Sequence, residues 1–223
     1  MTYQSYVKSF TSYMINLTRD SVDSNDEFYS VWYVNTLLQY GILKEAIYHP
    51  PSFQLSDPVY NYRIDEKLKR GKMVKTTVVK EVLKAHIYTA DWKFIWNQDM
   101  NLEKFVTRYD EKLSPNSYGV FQARMIDGQL VTYVDIKGGA ILAQMSSSAV
   151  TFVVNMKWVY AKYGIFVQKI VPIFNQKKKM KTIASGLFVR TFTPDRYLMT
   201  DGGEMKRKLH YQPLSFMEYY GQI

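Results

Sequence analysis

The sequence predicts an α/β fold, with a central mixed β-sheet flanked by helices. Three features predict it. A capped helical segment spans about residues 25–40, and two apolar strands flank Asp127-Gly128. A helical run over 147–163 then joins strands at 129–136 and 165–174, and a helix between two strands is a natural right-handed crossover between parallel neighbours.

The elements follow in chain order. Residues 2–18 carry Tyr3, Tyr6, Val7, Phe10, Tyr13, Met14 and Leu17 at spacings of three and four, a helical period. Asp20 to Asp26 is a polar break. Ser24 stands three residues before Glu27, a capping-box pattern, and Gly41 is a stop signal. Pro50-Pro51 closes one short extended segment and Ser52–Leu55 opens another. Residues 62–73 are charged and Lys-rich and predict a surface loop or short helix. β-Branched residues dominate from Val74 to Val82, and extended character continues through His86–Trp96. Residues 97–118 are polar and irregular, part of an insertion reaching about residue 128. Asp-Gly tolerates the positive φ angles of a type I′ turn, so Phe121–Ile126 and Gln129–Ile136 read as a hairpin. Phe152, Met156, Val159, Tyr160 and Tyr163 mark the helix that Gly164 ends, and Ile165–Phe174 reads as a buried strand.

Composition narrows the chemistry. The 223 residues contain no cysteine, which excludes disulfides, thiolate zinc sites and a cysteine nucleophile. His49, His86 and His210 lie far apart and offer no helical pair, so a catalytic metal is expected to be a hard, oxygen-liganded ion, Mg2+ or Mn2+. His86 reads as a core or strand-edge residue rather than a ligand. Twenty-nine Lys and Arg against 20 Asp and Glu give a charge of +9, which favours a polyanionic partner. No apolar stretch reaches the roughly 18 residues a membrane span needs. The first residues show no basic region followed by an apolar run, so no secretory signal is expected.

Side chains alternate between faces along a strand. Val131, Tyr133, Asp135 and Lys137 therefore share a face, and Gly138-Gly139 lets the chain turn beside them. Asp91 lies between Thr89 and Lys93, on the face opposite Ala90, Trp92, Phe94 and Trp96. A carboxylate in a core strand is costly unless compensated, and a divalent cation is one compensation. Two carboxylates, a metal and a lysine suffice for phosphodiester hydrolysis, which depends on positioning and electrostatic stabilisation.

These residues carry a family resemblance. Tyr88-Thr89-Ala90-Asp91-Trp92 resembles the Y-x-x-D-F strand of PD-(D/E)XK nucleases, and Tyr133-Val134-Asp135-Ile136-Lys137-Gly138 resembles their (D/E)-x-K-G strand. Glu27 falls where the first helix of the phage resolvase branch carries a metal-facing Glu. Tyr48 to Leu55 looks like the Q-P-x-F-x-L strand after that helix, and Phe152 to Lys169 looks like the final helix and strand. The match covers about residues 24–173 and is similar to small phage-encoded nucleases related to endonuclease I, which resolves branched DNA. Two departures are Ala90 before the first Asp, where Pro is usual, and Asp135, where Glu is commoner. The spacing between Asp91 and Asp135 is also long for a compact resolvase, and the insertion at 97–128 accounts for it.

The resemblance implies a restriction-endonuclease-like core over 24–174, an N-terminal helical extension over 1–23 and a basic C-terminal extension over 175–223. It implies an Mg2+- or Mn2+-dependent endodeoxyribonuclease acting on branched or structured DNA in phage replication or packaging, in the host cytoplasm. Asp91, Asp135 and Glu27 would hold the metal, and Lys137 would assist the attacking water. Glu27 alternatively reads as the N3 residue of a capping box. Lys157, Lys177, Lys178, Lys179, Lys181, Lys206, Arg207 and Lys208 are the candidate DNA contacts; for Lys157 an exposed helical lysine is the bland alternative. A homodimer would supply the two cuts that resolution needs, with the aromatic stripe of residues 2–18 as its pairing element. The rival expectation is a non-catalytic phage structural or assembly protein on the same scaffold.

Overall fold

A computed structural model describes residues 14–109, 119–138, 147–173, 186–199, 209 and 211–221. The chain divides into two compact units, one of residues 1–50 and 90–223, the other of residues 51–89. The boundaries expected near residues 23 and 174 both fall inside the first unit, and the second unit is a segment of the expected core.

The first unit is mixed α/β. Helix α1 (Asn25–Gln39) begins where Ser24 Oγ accepts the Glu27 N–H at 3.1 Å, as the capping pattern predicts. It ends at Gly41, whose φ of 69° suits glycine. Strand β1 (Leu43–Tyr48) follows. The second unit contributes β2 (Phe53–Ser56), β3 (Val59–Lys69), β4 (Lys72–Leu83) and β5 (His86–Tyr88). The chain then returns as β6 (Trp92–Trp96), β7 (Val106–Arg108), β8 (Phe121–Ile126) and β9 (Gln129–Ile136). Helix α2 (Ser147–Tyr163) leads to β10 (Val167–Ile170). Three short helices close the chain, α3 (Leu187–Arg190), α4 (Asp195–Leu198) and α5 (Phe216–Tyr220).

The sheet of the first unit runs β1-β6-β9-β8-β7, with β10 also on β9. β1, β6, β9 and β8 pair antiparallel, while β10 lies parallel to β9 and β7 parallel to β8. The expected crossover from β9 through α2 to a parallel β10 is present. So is the hairpin, with Asp127 and Gly128 at φ 49° and 77°.

Alternation sorts the side chains into two layers. Trp92, Phe94 and Trp96 of β6 and Leu130, Val134 and Ile136 of β9 join Val31, Val34, Leu37 and Leu38 of α1 in one core. Tyr33 extends it by stacking on Phe192 at 4.4 Å between ring centroids. On the other face Ile95, Val131 and Val167 are buried, as are Phe152 and Val159 of α2. Each such side chain stabilises the fold by roughly 1.5–3 kcal/mol on full burial.

Four expectations need correction. Residues 62–73, read as a loop or short helix, belong to a long antiparallel hairpin in which β3 has 11 residues and β4 has 12. Charge there hid a period-2 pattern that turns at Arg70-Gly71, with φ of 49° and 76°. The extended run His86–Trp96 is broken between Tyr88 and Trp92, and its halves belong to different sheets. The half-buried His86 sits in β5 of the second unit. Within residues 97–118, read as polar and irregular, Phe105 is fully buried and β7 joins the sheet edge beside the expected strand β8. The strand expected over 165–174 covers only Val167–Ile170.

The helix expected over 2–18 lies mostly outside the described residues. Its described end, residues 14–18, is not helical, and Ile15 and Leu17 pack against the chain's own core. Asn35 of α1 holds this end by bonds to both the N–H and the C=O of Ile15, at 2.8 and 2.9 Å. Among the described residues, no helix is long and apolar enough to cross a membrane.

Candidate metal centre

The antiparallel register of β6 on β9 pairs Trp92 with Val134 and Lys93 with Tyr133. One step further along that ladder, Asp91 comes opposite Asp135, on the face away from the tryptophan core. Tyr133 and Asp135 occupy the same face, and Lys93 Nζ lies 6.0 Å above the Tyr133 ring. The cross-strand register, together with alternation along each strand, places both carboxylates on one face at one end of the sheet.

Asp135 is buried, with 3% of its surface exposed, and accepts from the Lys137 ammonium at 2.8 Å. Lys137 Nζ lies 5.9 Å above the ring of Phe152, so α2 roofs the ammonium with an aromatic face. Asp91 Oδ2 accepts from the Ile136 N–H at 2.5 Å, which ties the two strand ends together. The Asp91 carboxyl is pushed up to about 8, first by burial, then by the charge of Asp135 and a hydrogen bond shared with it. The Lys137 charge and the Ile136 N–H pull the other way but do not offset these. Half-buried and beside the charge of Asp135, Asp91 therefore favours its protonated form. Asp135 also pairs with Lys169 in the parallel register of β10, a cation on the same face that the sequence reading did not single out.

The first turn of α1 carries Glu27, the third candidate carboxylate, whose ligand atoms cluster with those of Asp23 and His49 rather than with the Asp91–Asp135 pair. Glu27 is buried, 7% exposed, and accepts from Tyr48 Oη at 2.8 Å, Ser24 Oγ at 2.9 Å and the Asp23 N–H at 3.2 Å. The cap reading holds, because the Glu27 N–H donates to Ser24 Oγ at 3.1 Å. Ser30 anchors the turn, donating to the Glu27 carbonyl at 2.6 Å and accepting the Trp92 indole N–H at 2.9 Å. This ties Glu27 to the residue that follows Asp91. Burial, together with Glu27, Asp23 and Asp91, raises the Tyr48 phenol, so Tyr48 remains a neutral donor between the carboxylates. A Cβ placed on Gly138 would lie 2.8 Å from Asp26 Oδ2, which brings the start of α1 against the end of β9. Asp26 is raised by burial and then by the Glu27 charge.

Sequence reasoning missed Asp23, Asp26, Tyr48 and His49 as members of this region. Ligand atoms of Asp23, Glu27 and His49 lie within 4.8 Å of one another. His49 has a left-handed φ of 47°, unusual for a residue with a side chain, and stacks on Tyr48 at 3.9 Å. Its N–H donates to the Asp91 carbonyl at 2.9 Å. The signal available in the sequence was position: Asp23 and Asp26 flank the cap, and His49 precedes a proline pair.

The other candidate residues are not brought here. Lys157 is exposed on α2, and the two basic clusters, Lys177 to Lys181 and Lys206 to Lys208, lie outside the described residues. A cavity of about 340 Å³ beside the C-terminal half of α1 is lined by Trp32, Asn35, Phe192 and Arg196, among others, and holds none of the predicted site residues.

The donors fit a hard divalent cation. They are oxygen-rich and partly buried, and a divalent ion would compete with Lys137, which now bonds Asp135 at 2.8 Å. Ser24 maintains the placement of Glu27, so Ser24→Ala is expected to cost about 1 kcal/mol of stability. A shift in the urea midpoint measures that cost, and an unchanged midpoint would show that the cap contributes nothing. Comparison of the chain with family models, curated proteins and solved structures returned no match, so the candidate centre stands on its own geometry.

Proposed function

We propose that this chain is a metal-dependent endodeoxyribonuclease of the PD-(D/E)XK type, with a restriction-endonuclease-like core. The observation that carries the proposal is the convergence of Asp91, Asp135 and Lys137 on one face at one sheet end, with the two carboxylates in contact and the ammonium 2.8 Å from Asp135.

Asp91 and Asp135 would hold Mg2+ or Mn2+, with Glu27 completing the centre. A bound divalent cation lowers the pKa of a coordinated water and stabilises charge on phosphate. The Asp91 proton must leave before both carboxylates can serve as ligands. Lys137, which bonds Asp135 and lies over the Phe152 ring, would orient the attacking water or offset charge developing on the phosphate. Tyr48 and Ser24 hold the Glu27 carboxylate in one orientation. The net charge of +9 supports a polyanionic substrate.

Branched or structured DNA is the proposed substrate, and phage replication or packaging the proposed setting. Purified protein is expected to cut linear, nicked or four-way DNA with added Mg2+ or Mn2+ and to leave all three intact in chelator. Absence of cleavage on every substrate with either metal would overturn the reading. Resolution of a four-way junction needs two cuts, so a homodimer belongs to the proposal. Light scattering with and without four-way DNA tests it; a monomer in both states leaves a simpler nicking nuclease.

A further inference from the structure

We propose that the β3–β4 ribbon is a DNA-binding arm, and that its lysine-bearing face engages the phosphate backbone of duplex DNA. The proposal rests on the reading of the chain as a DNA enzyme and adds a binding surface to it.

Ladder register sorts the ribbon's side chains. Tyr62, Ile64, Glu66 and Leu68 share one face with their partners Val79, Thr77, Lys75 and Met73. Lys75 there is neutralised by Glu66, Nζ to Oε1 at 2.7 Å, and Glu81 near the base adds a negative charge, so this face has no net positive charge. The opposite face carries Arg63, Lys67 and Lys69 from β3 and Lys72 and Lys80 from β4. Its one acid, Asp65, is engaged by Arg63 at 3.0 Å. None of the described carboxylates pairs with Lys67, Lys69 or Lys72, and all three are exposed. The uncompensated positive charge of the ribbon thus lies on one face, toward the tip.

That arrangement is costly for the ribbon itself. Lys69 stands directly opposite Lys72, and like charges in a cross-strand pair are destabilising. A two-stranded ribbon is already marginal in water. A polyanion that neutralises the lysine row offsets both costs. The shape fits duplex DNA, since the major groove admits a two-stranded ribbon. At about 3.3 Å per residue, β3 is long enough to follow the backbone over several base pairs. The chain leaves the first unit after Pro50 and returns at Ala90, one residue before Asp91, so the arm is tethered within the stretch that supplies a candidate metal ligand.

The test is duplex binding by full-length protein in chelator, where no cleavage occurs, over a range of salt concentrations. The triple variant Lys67→Gln, Lys69→Gln, Lys72→Gln is expected to lower the log–log salt slope by roughly 2–3, at about 0.9 for each phosphate no longer neutralised. Affinity near physiological salt should fall at least about tenfold. Lys75→Gln, on the other face, should bind as wild type, and so should the charge-keeping Lys67→Arg, Lys69→Arg, Lys72→Arg. If the triple variant does not fold, Lys69→Gln and Lys72→Gln are read singly, each lowering the slope by about 0.9. An unchanged slope, an equal reduction in Lys75→Gln, or no duplex binding by the wild type overturns the arm. Wild type that cleaves DNA while the triple variant binds normally sinks the arm alone. Wild type that never cleaves, but whose slope falls on lysine substitution, sinks the nuclease reading alone.

Discussion

Replacing Asp91 by Asn is expected to abolish metal-dependent cleavage and, in metal-free buffer near pH 8, to raise the melting temperature. The two effects have one cause. Asp91 is half-buried beside Asp135 and is pushed up to about 8. Asparagine resembles the protonated acid. Its oxygen can still accept the Ile136 N–H, and its amide can donate to Asp135 without a proton having to be bound. It cannot complete a two-carboxylate metal centre.

The sign of the pH effect follows from the direction of the shift. The folded value of about 8 exceeds the ordinary 3.8, so the folded state holds this proton more tightly than the unfolded chain. The stabilisation is fully present below about pH 4 and is lost as pH rises through about 8, at no more than about 1.4 kcal/mol per pH unit. Wild type minus Asp91→Asn isolates this contribution from the other carboxylates. For a chain of this size each kcal/mol moves the melting temperature by roughly 2–4 °C. Added Mg2+ should restore wild-type stability at pH 8, because ligand binding stabilises the folded state, and should leave Asp91→Asn unmoved. DNA binding by the variant should survive, since the basic surface is untouched. Full cleavage by Asp91→Asn, or a lower melting temperature than wild type at pH 8 without metal, would contradict the assignment.

Much of the first unit was legible because its signals are local and strong. Ser24 caps α1, Gly41 and Gly164 stop helices, and Asp127-Gly128 makes the β8–β9 turn. Period-2 alternation sufficed to put Asp135 and Lys137 on one face and to set Asp91 against the tryptophan face of β6. The contact between Asp91 and Asp135 was not legible from alternation alone, because it depends on the cross-strand register of β6 on β9. Asp23, Asp26 and His49 were missed for a similar reason: a helix start and a strand end far apart in sequence meet only after folding. The β3–β4 ribbon was misread because its charged residues on one face and apolar residues on the other look, in linear order, like a solvated tract. Its Arg70-Gly71 turn puts a non-glycine residue at positive φ, which composition does not advertise. Phe105 shows the opposite error, a core aromatic inside a segment that looked polar throughout.

Lys137→Met is expected to lower the cleavage rate by about 10²–10³, the usual effect of removing a donor aimed at developing transition-state charge. It should not weaken metal binding. Lys137 meets Asp135 at 2.8 Å, so its ammonium competes with any cation for the same oxygen. Removing it leaves the carboxylates with more uncompensated negative charge, and Mg2+ affinity should hold or rise. The metal-free protein should remain folded. Lys137 is one of the groups that lowers Asp91, so without it Asp91 retains its proton to higher pH. Methionine keeps an apolar stem against Phe152. Calorimetry of Mg2+ binding without DNA, alongside single-turnover cleavage, separates the two effects. A slow enzyme with intact or tighter metal binding places Lys137 on the reaction itself. Cleavage near the wild-type rate, or a slowing that follows from weaker metal affinity, would reduce Lys137 to a counter-ion for Asp135 and leave the attacking water without an assigned partner.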